Sequence, residues 1–359
     1  MTIDSSWLRA FKEEAREAFT KHAPFRANAV FSDGQIRLMR GGDALITWDE
    51  YVRRQFLLPL RKFMESADTV VLAFDCYDFV PAAKAMTQAK RRKHVPPMDV
   101  GERTALPPMV PTGEAWDRAI ANRAFKAKIV DLVILLLPNE LLKDRPHKRL
   151  VVDHREPVAF AWDAAAGRVE RAALDGLPPL GEADIKFTRY ADLYERLLVD
   201  SIDGDSVPIA LMHHERCLAA GECPPRVCIY RMEIKDAAGP KEETDKKRKR
   251  EAAKRTYEYV DVHALYQALR TVVLQSVGRA VLPSHAGHEI RMLTALICLT
   301  STDFSRRVAR AARSLTKTSH DISYGAGTCL SCRAARCSRC SPASGRRWRG
   351  CTSRRPTSC

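Results

Sequence analysis

Hydrophobic and polar positions along the chain follow two periods. Residues 5–22 (SSWLRAFKEEAREAFTKH) place apolar side chains every three to four positions and predict an amphipathic helix, with Ser5 or Ser6 placed to cap it. Residues 47–66 predict a second helix, interrupted near Pro59, which has no N–H to donate. Residues 69–74 (TVVLAF) form a short, continuously apolar run closed by Asp75, the pattern of a strand covered on both faces. A basic helix is predicted after Pro81 (AAKAMTQAKRRK), then a Pro-rich loop over 94–113 and a long helical stretch over 114–143. Residues 150–153 predict a strand, 158–171 a hairpin turning near Ala166-Gly167, and 182–198 a helix. Residues 199–211 and 226–234 read as strands, 257–262 as a strand leading into a helix to about Ser276, and 289–298 as a further helix. Strands alternating with helices define an α/β chain, with a central, mostly parallel sheet flanked by helices.

Two stretches lack any pattern that could build a core. Residues 235–256 carry mixed charge and no large apolar side chain, so they read as a solvated insertion. From Ser331 to the end there is no Val, Ile, Leu, Met, Phe or Tyr, and residues 306–359 read as a disordered, Arg/Ser/Cys-rich tail after a folded body of residues 1–305. The break in composition at Arg306 is what a shift of reading frame in GC-rich coding sequence produces, and sequencing the transcript across that codon tests it.

The same division reinterprets the charge. The chain of 359 residues has a net charge of +15, which points to a nucleic-acid binder. Residues 306–359 hold 13 Lys+Arg against one acid, Asp321, leaving 46 basic and 43 acidic residues in the body. The body is therefore close to neutral. With 45% hydrophobic residues it can bury a core, and its length fits about two domains or one large one. The longest apolar run, residues 129–138, is broken by Asp131 and too short to span a bilayer, and residues 1–23 are too charged for a signal peptide. An intracellular protein without a membrane anchor is expected, with scattered reduced cysteines (Cys76, Cys217, Cys223, Cys228, Cys298).

Candidate chemistry lies in the acids. Glu182 and Asp184 open a helix in GEAD, and Asp203 and Asp205 follow an apolar stretch in LLVDSIDGDSVPIAL. On a strand those two aspartates would share a face, and at a strand's carboxyl end they would sit where open α/β sheets place ligands. Asp75 closes one apolar run, and Asp303 follows another in LTSTDFS. Clustered carboxylates with few nitrogen or sulfur partners suit Mg²⁺ or Mn²⁺, and two such ions suit phosphodiester hydrolysis. Taken singly, each acid is also what turns and first helical turns use.

As an ordered set, GEAD, SIDGDS and LTSTDFS resemble the internal region of the flap-endonuclease (XPG-like) 5′-nucleases of the PIN-like superfamily. The 19 positions from Asp184 to Asp203 match that family's spacing, and AFDCYDFVPAAK resembles its Phe-Asp-Gly segment before a basic helix. The resemblance covers roughly residues 65–305. It implies a PIN-like fold and a two-metal nuclease for structured DNA, with a place in DNA repair. Asp75, Glu182, Asp184, Asp203, Asp205 and Asp303 would be metal ligands, joined by Asp33 in NAVFSDGQ as the acid ending the first strand. Lys84 and Arg91, seven apart on one helical face, would contact the scissile phosphate. Thr2 stands where the family has Gly, and no Gly-rich helix–hairpin–helix follows Arg306. A PIN-like ribonuclease and a non-catalytic scaffold are the alternatives.

The remaining motifs have two readings each. KKRKR at 246–250 is a nuclear-localisation signal or phosphate-binding arm, or else the solvated face of the insertion. Cys329-x-x-Cys332 and Cys337-x-x-Cys340 have zinc-type spacing within each pair, but only four residues between the pairs and no apolar scaffold. His213-His214-Glu215 are expected on a surface or loop, since adjacent residues share no face.

Overall fold

The computed structural model describes residues 12, 15–76, 105–177, 180–201, 205–234 and 255–277. A 3-10 turn (Arg16–Ala18) leads into β1 (Phe19–Thr20), and a loop connects it to β2 (Ala29–Asp33), which runs directly into α1 (Gly34–Leu38). A π turn (Arg53–Leu57) joins α2 (Trp48–Val52) to α3 (Leu58–Ser66), and β3 (Thr69–Ala73) follows. α4 (Gly113–Ala121) and α5 (Arg123–Leu142) precede β4 (Arg149–Asp153), β5 (Pro157–Asp163) and β6 (Arg168–Ala173). Next come α6 (Ala183–Ala191), β7 (Arg196–Asp200), α7 (Ser206–Ala219) and β8 (Arg226–Ile234), then β9 (Arg255–Asp261) running into α8 (Val262–Val277).

The strands form one sheet in the order β1-β9-β8-β7-β2-β3-β4-β5-β6. Its centre is parallel: β2 pairs with both β3 and β7, β3 with β4, and β7 with β8. Antiparallel strands extend both edges, so the whole is a mixed sheet. The path starts at β2, moves outward through β3 and β4, then returns to the other side of β2 for β7 and β8. This reversal opens a crevice at the carboxyl ends of β2 and β7, where doubly wound sheets bind ligands.

Side-chain alternation divides the core into two layers. Val30, Val70, Leu72 and Leu150 face the layer built from α2 to α5, while Phe31, Val71, Val151 and Val199 face α6, α7 and α8. β2 and β3 are accordingly buried along their whole length, as the unbroken apolar run TVVLA predicts. The helix over 47–66 forms with its irregularity just before Pro59. The π turn there accommodates a ring that cannot donate to the preceding turn.

Five local expectations are corrected. Within 5–22, the described residues make a 3-10 turn and β1, because Phe19 and Thr20 pair with Val260 and Tyr259 at the sheet edge. The stretch 114–143 is two helices: Asn122 leaves helical geometry and accepts the Phe125 N–H at 3.0 Å, starting α5 afresh. Over 182–198 the helix ends at Ala191, and the chain is in β7 from Arg196. The strand expected over 199–211 stops at Asp200, and Val207, Ala210, Leu211 and Cys217 are the buried stripe of a helix, α7. Asp205 therefore sits at the N-cap position of α7 rather than beside Asp203 on a strand. His213, His214 and Glu215 are all buried in α7, not on a surface or loop.

The basic helix after Pro81, the insertion, the 289–298 helix and the tail lie outside the described residues. Among the described residues no helix is long and apolar enough to cross a membrane. Cys76, Cys217, Cys223 and Cys228 form no disulfides. One glycine is dictated by packing: Gly42 has a φ of +83°, and a Cβ there would lie 2.7 Å from Cβ of the buried Trp116. Gly42→Ala combines a left-handed backbone with overpacking, so thermal unfolding should show a loss of about 2–4 kcal/mol.

Candidate functional site

Acids stand at or just beyond the carboxyl ends of the central strands, but their partners differ. At the end of β4, Asp153 is fully buried and meets two cations. Lys186 Nζ lies 3.0 Å from its Oδ1, Arg189 pairs with its Oδ2, and Tyr190 donates to Oδ2 at 2.8 Å. Lys186 also donates to the carbonyls of Phe74 (2.7 Å) and His154 (2.8 Å). At the end of β7, Asp200 pairs with Arg37 and accepts from Ser32 Oγ at 3.0 Å. Both acids are neutralised by basic side chains of the same chain and serve the fold.

Asp33 and Asp75 present a different case. Asp33 ends β2 and accepts from the N–H groups of Gln35 (2.8 Å) and Ile36 (3.4 Å), the first turn of α1. Burial pushes its carboxyl up from 3.8 to about 7, and the nearby charges of Asp75 and Asp184 push the same way. Asp75 follows β3 and accepts the Ala183 N–H at 2.9 Å, while the Cys76 N–H donates to Gly181 O at 2.6 Å. These two bonds hold the start of α6 against the exit of β3, so Glu182, at the N-cap of α6, and Asp184, in its first turn, share this edge. The donors are hard carboxylate oxygens, and a divalent cation of the Mg²⁺ class would offset the burial and the repulsion that raise Asp33.

Of the sequence candidates, Asp75 and Asp184 are brought within electrostatic range of Asp33, and Glu182 stands at the N-cap next to Asp184's turn. Asp205 stands at the N-cap of α7. Asp203, Asp303, Lys84 and Arg91 lie outside the described residues. The described acids do not close into a set of three with oxygens all within 4.8 Å of one another; the group that does is Asp192, His213 and Cys217, at the opposite edge of the sheet.

A cavity of about 420 Å³ opens beside Asp33 and Asp200. Its wall carries Arg37, Arg40, Arg54, Lys62 and Arg231, together with Phe63, Tyr230 and Tyr257. Tyr230 and Tyr257 stack at 5.4 Å with their planes 14° apart, and Tyr257 is half exposed. Arg37 pairs with Asp200, Arg54 with Glu50 and Arg231 with Glu258, and together with Arg40 and Lys62 they line a space suited to an anionic, partly aromatic ligand.

Sequence reasoning missed this cavity and the Asp192 group. Arg54 and Lys62 lie in a stretch read only as an amphipathic helix, and their spacing over two turns was the available signal. The cavity also needs Tyr230 and Tyr257 from strands distant in sequence, which no local pattern reveals. No protein-family model matches the chain, and no curated protein matches it.

Proposed function

We propose that this chain is a divalent-metal-dependent nuclease of the flap-endonuclease (XPG-like) kind, with a PIN-like domain acting on structured DNA. The observation that carries this reading is the elevated carboxyl of Asp33, raised by burial and by Asp75 and Asp184 at the switch crevice of a doubly wound sheet. An acid strongly shifted by burial and by specific charged neighbours in a cleft is a candidate functional group. The neighbouring acids Asp153 and Asp200 have intramolecular cations, which separates structural carboxylates from candidate ligands.

In this reading Asp33, Asp75, Glu182, Asp184 and Asp205 hold two Mg²⁺ or Mn²⁺ ions, with Asp203 and Asp303 completing the set. Such ions, when bound, supply an activated water and stabilise the oxygens of a phosphodiester under attack. The chain's own part is placement. Asp75 fixes the first turn of α6 through the Ala183 N–H, and Arg37 holds Asp200 out of the donor set. Arg40, Arg54 and Lys62 draw in the phosphate backbone, while Tyr257 offers a ring for a base. Lys84 and Arg91 would polarise the scissile phosphate.

Incubating the protein with labelled flap DNA, single-stranded DNA and single-stranded RNA tests the reading. Flap cleavage is expected with Mg²⁺ or Mn²⁺, none with chelator, and a loss of about 10³-fold in Asp75→Ala. Cleavage of RNA alone makes the chain a ribonuclease, and no cleavage of any substrate leaves a binding scaffold. Lys62→Ala should weaken DNA binding and flatten its log–log salt dependence by about 0.7–0.9, one phosphate contact. Fluorescence anisotropy between low and moderate salt measures that slope.

A further inference from the structure

The helices that begin at the acid edge, α6 and α7, both end at the opposite edge, where β7 and β8 start. Asp192 stands at the C-cap of α6. His213 and Cys217, four residues apart, lie on one face of α7 and are buried, 6% and 2% exposed. The His213 ring spans the gap between the helices: Nε2 lies 2.8 Å from Asp192 Oδ1, and Nδ1 lies 4.0 Å from Cys217 Sγ. One donor atom from each of the three residues falls within 4.8 Å of the others. Asp192 and Cys217 also border a cavity of about 600 Å³ shared with Glu222 and Cys223.

Two chemistries use a Cys–His–Asp group. A hydrolytic relay needs an accessible thiolate, which Cys217, on the packed face of α7, does not offer. Cys217 is also too enclosed to meet a substrate. Metal ligation asks only for donors held together, which these three residues are. Thiolate, imidazole and carboxylate together select a borderline-soft, tetrahedral ion over Mg²⁺. The imidazole binds an ion through one nitrogen, either the Asp192-facing Nε2 or the Cys217-facing Nδ1. The third donor, within 4.8 Å, must therefore move in to the roughly 3.6 Å implied by usual zinc bond lengths at a tetrahedral angle. Arg216 Nη2 donates to both oxygens of Asp192, at 2.8 and 3.0 Å, and lies 3.1 Å from His213 Nε2, so the ion must displace it. The guanidinium is 60% exposed and the carboxylate 45%, and an ion pair that exposed does not hold a carboxylate against a divalent ion.

We propose that Asp192, His213 and Cys217 bind a zinc-class transition-metal ion that pins the ends of α6 and α7 together, with its fourth position facing the cavity beside Glu222 and Cys223. The site lies at the far end of the helices whose starts carry Glu182 and Asp205 at the N-caps and Asp184 in the first turn. It stands independently of the nuclease reading.

Cobalt titration of the full-length chain tests it, with Cys329, Cys332, Cys337 and Cys340 replaced by serine and excess Mg²⁺ present. The expected result is one equivalent of tightly bound Co²⁺ with a thiolate charge-transfer band and the visible bands of a four-coordinate ion. Carboxylate sites give no such charge-transfer band. Zn²⁺ should displace the cobalt and raise the melting temperature. Cys217→Ser should abolish the band, and His213→Gln should weaken Zn²⁺ binding by about a hundredfold or more. Asp192→Asn, at a half-exposed position that leaves the fold intact, should weaken it by about tenfold, which keeps the test decisive if a core variant misfolds. Absence of the band in the parent, or its persistence in Cys217→Ser, overturns the assignment.

Discussion

Asp33→Asn is expected to yield a protein that is more stable than the parent in chelator and inactive on every substrate. Asparagine keeps the size of the side chain and its ability to accept from Gln35 and Ile36, so α1 remains capped. The charge is what disappears. In the folded parent the carboxyl titrates near 7 instead of 3.8, so folding favours its protonated form. Between those two values the folded state binds more protons than the unfolded one, and stability falls as pH rises. The loss begins near pH 4, is complete a little above pH 7, and amounts to about 4 kcal/mol from the displacement of the carboxyl to about 7. Asp33→Asn escapes this loss. Its melting temperature in chelator should match the parent's near pH 4 and exceed it by several degrees at pH 8. Divalent ions should reverse the order, because Mg²⁺ raises the parent's melting temperature by neutralising the cluster and does little for the variant. Cleavage should fall by about 10³-fold. A variant that melts below the parent at pH 8 in chelator, or gains as much from Mg²⁺, would remove Asp33 from the ion site.

That prediction rests on an acid identified only through a resemblance, and the rest of the site was legible to differing degrees. Asp75 could be read directly, because a continuously apolar strand ending in a carboxylate puts that carboxylate at the carboxyl edge of a buried sheet. The GEAD pair was legible because a glycine break before a helix fixes where the first turn begins. What placed Glu182 and Asp184 beside Asp75 was the bond from Ala183 N–H to Asp75, across 108 positions, which no local pattern specifies. Asp153 and Asp200 also end strands. Their cations, Lys186 and Arg37, come from other elements, so sequence alone offered no way to tell neutralised acids from clustered ones.

The fold follows the same division. Parallel strands with helices between them were visible because burial on both faces writes unbroken apolar runs. Residues 199–211 were misread because VPIAL is too short to distinguish a strand from a buried helical stripe, and the continuation to Cys217 decides for the helix. Phe19 and Thr20 went the other way: a helical pattern yielded to pairing with β9 at an open edge. The Asp192 group escaped notice because His213 was judged against its sequence neighbours. Its real partners are one helical turn away at Cys217 and 21 residues away at Asp192.

Asp153→Ala is expected to cost about 3–5 kcal/mol, the largest loss of stability from any single change to this edge. Lys186 is wholly buried and Arg189 nearly so, and Asp153 is the carboxylate that meets both. Its removal takes the shared carboxylate from both cations and leaves the buried Lys186 ammonium with backbone carbonyl acceptors. Burial already lowers the Lys186 pKa, and Asp153 is the main influence opposing that shift. Without Asp153 the lysine folds more readily as the neutral amine. The unfolded state then binds more protons than the folded one from the lowered pKa up to the ordinary lysine value, so the variant should gain stability as pH rises. The parent, with Asp153 in place, should show a weaker gain over a narrower range. Lys186→Met in the Asp153→Ala background removes the orphaned ammonium and should recover a substantial part of the loss, a coupling that denaturant unfolding of the four proteins measures. If Asp153→Ala costs less than about 1 kcal/mol, or its loss is independent of pH and of Lys186, the buried cluster is not what holds β4 to α6.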